Sequence, residues 1–476
     1  MIALDQTLSA TLNGSEIPLI PLTTTDFEDP AKVTEKERNW MDVHHFTAAK
    51  GSHCLMADKD GGLACVFIGM GDEAPTAHDP WWLASVVPAL PEGRYAVTAD
   101  AVDDDALRTA ALGWVLAHYD FAVYKEKSTV RGRTLCLGAV LDSQTTLHLA
   151  QATALVRDMV NTPAEDMGPD TLEAIVKELS NSHGADVSVV TGEELEEGFP
   201  AIHAVGRATE RAPRLIELNW QSDQYDNTSE DSLSLAVVGK GVCFDTGGLN
   251  LKPGGSMELM KKDMGGAAHA VALASLIMAE NLPLKLQLLI PAVENSVAGN
   301  AFRPGDVLDT RLGLTVEIGN TDAEGRLILC DALSYACEQG PDMILDFATL
   351  TGAARVALGP DLPATYTNDD ALWTQLESAS RTVQDPLWRL PLWAPYDEML
   401  NSPIADMNNI SGGPFAGSIT AALYLQRFIE NDISWVHFDT FAWNPKDRAG
   451  RPKGGEAQGL RASFEAIRKL TEGASE

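Results

Sequence analysis

The feature that most constrains the fold is a regular alternation of strand-like and helix-like segments over the last two thirds of the chain. Apolar runs of strand length lie at residues 187–191, 214–219, 233–238, 286–291, 315–318, 343–347 and 435–438, and helical patterns at 266–279, 326–338 and 419–429. Such alternation predicts a mainly parallel sheet flanked by helices. Ligands of such sheets bind beyond the carboxyl ends of the strands, so polar residues are sought there.

The N-terminal third has its own pattern, with strands predicted at residues 65–69, 94–97 and 135–137 and helices at 104–119 and 143–160. A chain of 476 residues is too long for one ordinary domain. We therefore predict an α/β protein with two domains. Residues 1–150 form a smaller N-terminal α/β domain without catalytic residues, expected to serve assembly, and residues 151–476 form a larger catalytic domain.

The charge of the chain limits its partners. Lysine and arginine number 35 against 68 acidic residues, which gives a net charge of −33. A negative field repels phosphate backbones and anionic lipids, so we expect neither nucleic acid nor a membrane surface as a partner. The six cysteines show no paired spacing and the N-terminus shows no signal-peptide pattern, so we expect a cytoplasmic protein with reduced thiols.

Three connections beyond predicted strands or before predicted helices concentrate charged residues, at 239–252, 260–266 and 319–327. They carry the acids Asp245, Asp263, Asp322 and Glu324 and the bases Lys240, Lys252 and Arg326. Each residue alone has an ordinary explanation, such as a helix cap. Four converging carboxylates, however, repel one another unless cations neutralise them, and they supply enough oxygen ligands for two divalent ions. Their joint occurrence therefore predicts a dinuclear metal site.

Segments 240–252, 260–268 and 320–327 resemble the signature motifs of the leucyl aminopeptidase (cytosol aminopeptidase) family of dinuclear metallopeptidases. The most specific of these motifs, NTDAEGRL, is intact at Asn320–Leu327. Further matches at 157–163, 303–306, 348–353, 405–409 and 416–422 extend the resemblance over roughly residues 155 to 465. The resemblance implies a metal-dependent enzyme that removes the N-terminal amino acid from peptides with a free N-terminus.

The resemblance also assigns roles by position. It implies a tight metal site at Lys240, Asp245, Asp263 and Glu324 and a more exchangeable site at Asp245, Asp322 and Glu324, with Mn²⁺ or Zn²⁺ as the ions. It implies two catalytic residues, Lys252 and Arg326. Substrate contacts are expected at Met260, Asn320, Thr349, Leu350 and Gly352. A homohexamer is implied as the assembly.

Elementary chemistry is consistent with these roles. A lysine ligates a metal only as the neutral amine, so Lys240 has to lose its proton when a metal binds. Lys252 is expected to stabilise the oxygen of the gem-diolate formed from the scissile carbonyl. The motifs leave no histidine or glutamate free as a general base. The resemblance fills this role with a bicarbonate ion bound by Arg326, whose planar guanidinium suits an oxyanion.

One segment departs from the family pattern. Where relatives read His-[Leu/Met]-Asp-Ile-Ala-Gly, this chain reads HFDTFAWNP at residues 437–445, which places Phe441 and Trp443 at or beside the pocket for the first side chain. If these rings point into the pocket, it shrinks and disfavours large first residues. If they turn away, into a core or a subunit contact, the pocket keeps its usual size. The preference for leucine is therefore not carried over.

Two other functions compete with aminopeptidase activity. Another dinuclear hydrolase, an amidase or a phosphatase, would share the carboxylates. Phosphatase sites usually rely on histidine ligands, and here only His269 lies near a metal motif, on an apolar helix face typical of core packing. A structural or DNA-binding relative is the second alternative, and the net charge of −33 argues against it.

Overall fold

The computed structural model describes residues 4–473 apart from 77–78, 99–101, 126–131, 139–142, 227, 229–231 and 431. The chain divides into two compact units. The first unit contains the residues up to Ala154 together with Thr382–Gln384 and Lys446–Lys453, and the second contains Leu155–Arg381, Asp385–Pro445 and the residues from Gly454 onward. Within the described ranges, no helix combines the length and apolarity needed to cross a membrane.

The first unit contains a mostly parallel sheet. Its strands are β1 Leu8–Ser9, β2 Ile17–Thr23, β3 His53–Ala57, β4 Leu63–Gly71, β5 Gly93–Val97 and β6 Arg133–Cys136. Its helices are α1 Thr24–Glu28, α2 Glu35–Val43, α3 Asp104–Leu116 and the start of α4 Ser143–Asn161. The strand order is β1-β6-β5-β2-β4-β3, with β3 antiparallel to β4. The strands and helices predicted here are confirmed to within three residues at each end.

The remainder of the chain alternates strands and helices as predicted. The strands are β7 Asp186–Thr191, β8 Arg214–Gln221, β9 Leu233–Gly239, β10 Gly241–Asp245, β11 Leu284–Asn295, β12 Val307–Asp309, β13 Thr315–Glu317, β14 Met343–Ala348, β15 Ala364–Thr367, β16 Trp388–Arg389, β17 Met407–Asn408, β18 Ser434–Asp439, β19 Trp443–Asn444 and β20 Gly454–Gly455. The helices are α5 Pro169–His183, α6 Gly192–Gly198, α7 Pro200–Gly206, α8 Gly254–Met257, α9 Gly265–Ala279, α10 Gly325–Glu338, α11 Gly352–Leu358, α12 Asp370–Thr382, α13 Gly417–Gln426 and α14 Leu460–Gly473.

The main sheet of the second unit has the order β16-β15-β18-β14-β9-β11-β8-β7, with β10 also paired to β11. Its centre is parallel, since β18, β14, β9 and β11 run in one direction, whereas β7, β8 and β15 pair antiparallel to their inner neighbours. The central strands are almost entirely buried, as expected for strands covered on both faces. The predicted fold class is confirmed.

Two predicted segments differ from the structure. The strand predicted at 315–318 does not join the main sheet, because β13 pairs with β12 and β17 in a separate small sheet. The carboxylate of Asp406, next to β17, accepts hydrogen bonds from the Thr315 N–H (2.8 Å) and hydroxyl (2.7 Å), which fixes that pairing. Residues 239–252, predicted as a connection, contain β10, whose Val242 and Cys243 are packed in the core.

Close backbone contact positions the start of α9. The Ala267 N–H donates to the Lys240 carbonyl at 2.8 Å, and the Lys240 N–H donates to the Phe347 carbonyl at 2.9 Å. A Cβ atom at Gly266 would lie 2.1 Å from that carbonyl oxygen of Phe347 and 2.8 Å from the Lys240 nitrogen. Glycine therefore allows α9 to begin directly against β14 and the backbone of Lys240.

The interior contains the cysteines as well as the apolar side chains. All six cysteines are buried and free, which confirms the prediction of unpaired thiols. Helix α9 is buried on nearly every side, which accounts for its apolar composition all round.

We predict that Gly266→Ala destabilises the protein and displaces Lys240. The added methyl group meets two backbone atoms that cannot rotate away, and overpacking of this kind typically costs about 1–3 kcal/mol. Thermal unfolding should shift to lower temperature and hydrolytic activity should fall. The control is Gly299→Ala, where a Cβ atom has no neighbour within 4 Å. Equal stability of the two variants would contradict this account of the α9 contact.

Candidate active site

The structure brings together the five predicted metal ligands and Lys252. They come from the residue after β9, the end of β10, the 3-10 turn Met260–Met264 before α9, and the connection from β13 to α10. We call these six residues the carboxylate cluster: Lys240, Asp245, Lys252, Asp263, Asp322 and Glu324. All are buried except Lys252 and Asp322, whose side chains are 14% and 30% exposed.

Lys240 lies in the middle of the buried part of this cluster. Its Nζ atom is 2.8 Å from Asp263 Oδ2 and 3.0 Å from Glu324 Oε1, and it donates a hydrogen bond to the Thr349 carbonyl at 3.0 Å. Gly325 leaves room for the lysine, because a Cβ atom there would lie 2.7 Å from Lys240 Nζ. The ammonium group thus joins two chain segments that would otherwise present only negative charge.

A tight turn after β10 returns Lys252 to the cluster. Gly247 and Gly248 have φ angles of +85° and +63°, a conformation that favours glycine. The Gly247 N–H donates to Asp245 Oδ1 at 2.8 Å. Lys252 Nζ then lies 2.8 Å from Asp245 Oδ2 and 2.5 Å from Asp322 Oδ1.

Four carboxylates and two ammonium groups leave two negative charges uncompensated in the carboxylate cluster. Burial, reinforced by the neighbouring carboxylates, raises the pKa of Asp245 to about 6 and that of Glu324 to about 7. Burial also acts to raise the pKa of Asp263, but the positive charges of Lys240 and Lys262 hold this pKa below its usual value. The carboxylate cluster therefore favours the binding of additional positive charge.

Polar side chains outside the cluster fix the orientation of its acids. The Asn295 side-chain amide donates to Asp245 Oδ1 at 2.8 Å and to the Thr321 carbonyl at 3.0 Å. The Thr349 hydroxyl donates to Asp263 Oδ1 at 2.7 Å. These contacts hold the carboxylates in place without adding charge.

Arg326 is buried at the start of α10, two residues after Glu324. Its Nη1 atom donates to the Asn409 carbonyl at 2.6 Å, and its guanidinium carbon is 5.9 Å from the centre of the Tyr424 ring. Its Nε atom is buried and has no hydrogen-bond partner among the described residues. Asn409 also accepts from the N–H groups of Gly319 and Asn320, so it fixes the connection that precedes Asp322.

The segment from Thr349 to Gly352 is held by Asp439 at the end of β18. Asp439 Oδ1 accepts from the N–H groups of Leu350 and Thr351, both at 3.0 Å, and its Oδ2 accepts from the Thr351 hydroxyl at 2.6 Å. The segment follows β14 directly and leads into α11. Thr349 is buried, Leu350 is half-buried and Gly352 is exposed.

The remaining predicted residues have distinct positions. Met260 is half-buried at the first position of its 3-10 turn. Asn320 accepts a hydrogen bond on Oδ1 from the Asp322 N–H at 2.8 Å, which orients that backbone. His269 is buried in α9, with Nδ1 2.6 Å from the Gly265 carbonyl and Nε2 accepting from the Gln458 N–H at 2.9 Å. Because both ring nitrogens are used, the interpretation of His269 as a core residue is confirmed.

The segment that departs from the family pattern places one ring in the core and one beside cations. Trp443 is buried in β19. Phe441 is half-buried, and Lys262 Nζ lies 4.8 Å from the centre of its ring. Lys262 is itself buried, and burial lowers its pKa to about 8. The Trp443 ring therefore turns away into a core, which is the second of the two alternatives given for these rings.

The donors of the carboxylate cluster fit divalent metal ions. Oxygen atoms of Asp245, Asp322 and Glu324 lie within 4.8 Å of one another. Glu324 Oε2 is buried and has no hydrogen-bond partner among the described residues. Carboxylate oxygens are the ligands of hard cations, and carboxylates that close together can be shared between two ions.

Comparison with known proteins identifies the family. The family model "Cytosol aminopeptidase family, catalytic domain" matches residues 154–463, and "M17 aminopeptidase, N-terminal domain" matches residues 17–136. The chain belongs to the cytosol aminopeptidase family. It is a metal-dependent aminopeptidase, a metallo-exopeptidase of the hydrolase class.

Individual members of the cytosol aminopeptidase family agree with this assignment. A probable cytosol aminopeptidase of Syntrophotalea carbinolica is 44% identical over 323 residues, which are 67% of this chain and 64% of that protein. The structure of the cytosol aminopeptidase from Coxiella burnetii matches with a TM-score of 0.91 and 42% identity, covering 97% of this chain and 99% of that chain. The bottromycin maturation enzyme BotP, in complex with Mn, matches with a TM-score of 0.86 and 31% identity, covering 96% and 100%.

Three residues that position the candidate site have no role assigned from the sequence: Asn295, Asn409 and Asp439. Asn295 lies beyond the strand predicted at residues 286–291, whereas β11 in the structure extends to Asn295. The position of a polar residue at a strand end is a signal that a longer strand would have revealed. Asn409 and Asp439 act on backbone groups far away in sequence, and no local pattern indicates such contacts.

We predict that the metal-free enzyme loses stability as the pH rises from about 4.5 to 7. The raised pKa of Glu324 means that the folded state binds more protons than the unfolded state in this window, so deprotonation disfavours folding. Thermal unfolding in a chelator should show a decline that is smaller in Glu324→Gln, which cannot ionise. Mn²⁺ should oppose the decline, because the ion replaces the proton. An equal decline in the variant would contradict the assignment.

Proposed function

We propose that the carboxylate cluster holds two divalent ions and that this site cleaves the first peptide bond of substrates with a free N-terminus. The observation that carries the proposal is the meeting of four carboxylates with only two ammonium groups. Divalent cations would neutralise the excess negative charge. The donor oxygens come from separate chain segments, as a site assembled by the whole fold requires.

The distribution of ligands follows the family resemblance. Lys240, Asp245, Asp263 and Glu324 would hold the tight ion, and Asp245, Asp322 and Glu324 the exchangeable one. Asp322 has the most exposed carboxylate of the four, which supports faster exchange at its site. Mn²⁺ or Zn²⁺ is proposed as the ion. The related enzyme BotP has a solved structure in complex with Mn, which supports Mn²⁺.

Bound ions would supply Lewis acidity and lower the pKa of water enough for attack at neutral pH. The chain supplies the rest of the chemistry. The neighbouring carboxylates raise the pKa of Lys240 although burial opposes them, so Lys240 has to release a proton before it can ligate. Lys252, raised in pKa by the same acids, keeps its proton and would donate to the oxygen that becomes negative when the scissile carbonyl is attacked.

Arg326 is proposed to hold a bicarbonate ion that serves as the base. Its buried Nε atom, without a partner among the described residues, supports an anion there, because an oxyanion would satisfy it. The Asn409 carbonyl fixes the other side of the guanidinium. The ion's role would be to accept a proton from water.

The substrate is proposed to lie along the segment that Asp439 holds. Leu350 and Gly352 would contact the substrate backbone, while Met260 and Thr349 would face its first side chain. Asn320, whose side chain lies beside the Asp322 backbone, would also contact the substrate. The rigid attachment of Leu350 and Thr351 to Asp439 supports this, since a substrate-positioning segment has to be fixed.

The assembly and location are also proposed from the family. A homohexamer would bury apolar side chains that are exposed in the single chain, such as Trp393 (54%), Ile404 (63%) and Phe415 (76%). Residues 1–150 would form the N-terminal domain with a role in assembly, and 151–476 the catalytic domain. The relatives are cytosol aminopeptidases by name, which supports a cytoplasmic location.

We predict that Glu324→Ala abolishes hydrolysis while the protein remains folded. Glu324 would be shared by both ions. Even substitutions outside the ligand shell typically lower metal affinity or activity by about 10- to 100-fold, so loss of a shared ligand should have a larger effect. Activity toward Leu-Ala should fall by more than about 100-fold, and calorimetric titration should register fewer than two Mn²⁺ per chain. Glu338→Ala, which changes a partly exposed partner of Arg311, is the control. Full activity of the Glu324 variant would refute the ligand assignment.

We also predict that acetyl-Leu-Ala is not cleaved under conditions where Leu-Ala is. A free α-amine is expected to be a ligand of one ion. Acetylation converts this amine into an amide, whose nitrogen lone pair is delocalised and cannot ligate the ion. Hydrolysis is measured by release of alanine from either compound with the same Mn²⁺-loaded preparation. Comparable rates would instead indicate an endopeptidase or an amidase.

A further inference from the structure

One buried cation next to the carboxylate cluster has no role in the proposed mechanism. Lys262 is only 6% exposed, in the 3-10 turn between Met260 and Met264. Within the described part of the chain, its ammonium group forms no salt bridge and no hydrogen bond. A lysine side chain this deeply buried is unfavourable without an anionic partner, so an anionic ligand at its ammonium group would stabilise it.

A second cation lies near the same aromatic ring. Lys262 Nζ is 4.8 Å from the centre of the Phe441 ring, and the guanidinium carbon of Arg355 is 5.2 Å from that centre. Arg355 lies on α11, is exposed and also forms no salt bridge with any described residue. Two positive groups thus meet one ring with no carboxylate paired to either.

This pair of cations adjoins the carboxylate cluster. Lys262 directly precedes Asp263 in the chain. A Cβ atom at Gly265 would lie 2.5 Å from Ala442 Cβ and 3.0 Å from Thr349 Cγ2, so Ala442, the residue after Phe441, and Thr349 both lie close to the end of this turn. The Phe441 ring therefore lies between the turn that carries Lys262 and helix α11, which carries Arg355.

Nearby acids do not neutralise Lys262. The carboxylates whose charges act on it are Asp263 and Asp439. Asp263 already contacts Lys240 Nζ and the Thr349 hydroxyl. Asp439 accepts from two backbone N–H groups and from the hydroxyls of Thr351 and Ser418. Both acids are committed to other partners.

We propose that Lys262, with Arg355, binds the side-chain carboxylate of the substrate's first residue, so that peptides beginning with glutamate or aspartate are favoured. The inference rests on the proposed function, because it requires the first residue to lie beside the carboxylate cluster. Phe441 narrows the space between the cations and packs against the methylene groups of the substrate side chain. The specificity is thus set by charge rather than by apolar fit.

The test compares Glu-Ala with Gln-Ala, which differ in the charge of the first side chain and hardly in size. With Mn²⁺-loaded full-length enzyme at neutral pH, kcat/KM for Glu-Ala should exceed that for Gln-Ala by about tenfold or more, since a charge-assisted contact replaces a neutral one. Leu-Ala is measured beside them. A Glu/Gln ratio at or below one would overturn the proposal.

Substitutions then locate the cations responsible. Lys262→Met keeps the length of the side chain and removes its charge, so the Glu/Gln ratio should fall toward one. Arg355→Gln, on an exposed site that tolerates change, should lower the ratio by a smaller factor and serves if the Lys262 variant does not fold. Lys261→Met is the matched control. Its lysine donates to the Asn161 carbonyl and lies 5.9 Å from the Trp443 ring instead, so the ratio should not change.

The outcomes separate the two levels of inference. Cleavage of Leu-Ala with a Glu/Gln ratio that neither Lys262→Met nor Arg355→Gln lowers would overturn the specificity proposal and leave the proposed function standing. Failure to cleave any of the three dipeptides, Leu-Ala included, would overturn both. A ratio lowered equally by Lys261→Met would show a general charge effect and overturn the specific role of Lys262.

Discussion

The candidate site of the second unit depends on the electrostatic balance among four acids, three of them buried. Carboxylates this close repel one another, and the ammonium groups of Lys240 and Lys252, which contact them directly, offset part of that repulsion. The ends of β9 and β10, the turn before α9 and the start of α10 all meet where this charge is concentrated. The fold brings these elements together by burying apolar surface, and the polar site is held against its own repulsion by that core.

Neutral groups perform most of the positioning. The amides of Asn295 and Asn409 and the hydroxyl of Thr349 bind acids or their backbone without altering the charge of the site. Asp439 is charged but has the same function, because its carboxylate accepts hydrogen bonds from the backbone N–H groups of Leu350 and Thr351. The segments they hold are short connections, and Asn295, Asn409 and Asp439 lie at or next to the ends of strands β11, β17 and β18.

Sequence patterns predicted the parts of the structure that repeat locally. The parallel core, the helix at α9 and the charged connections all follow from periodicity and from residues at strand ends. The sheet that β13 joins could not be predicted, because three residues carry no information about their pairing partner and Asp406 is 91 positions away. The environment of Lys262 could not be predicted for a related reason: a lysine beside Asp263 has the pattern of a solvated charge, and its burial beside Phe441 is evident only in the structure.

The contacts of Lys240 bear on how the proposed metal site would be loaded. Its ammonium group links Asp263 to Glu324, so a charge of the chain itself holds together two segments that each present negative charge. Under the proposed function, an ion that Lys240 ligates would displace the ammonium proton, and metal loading would therefore acidify the solution around the protein.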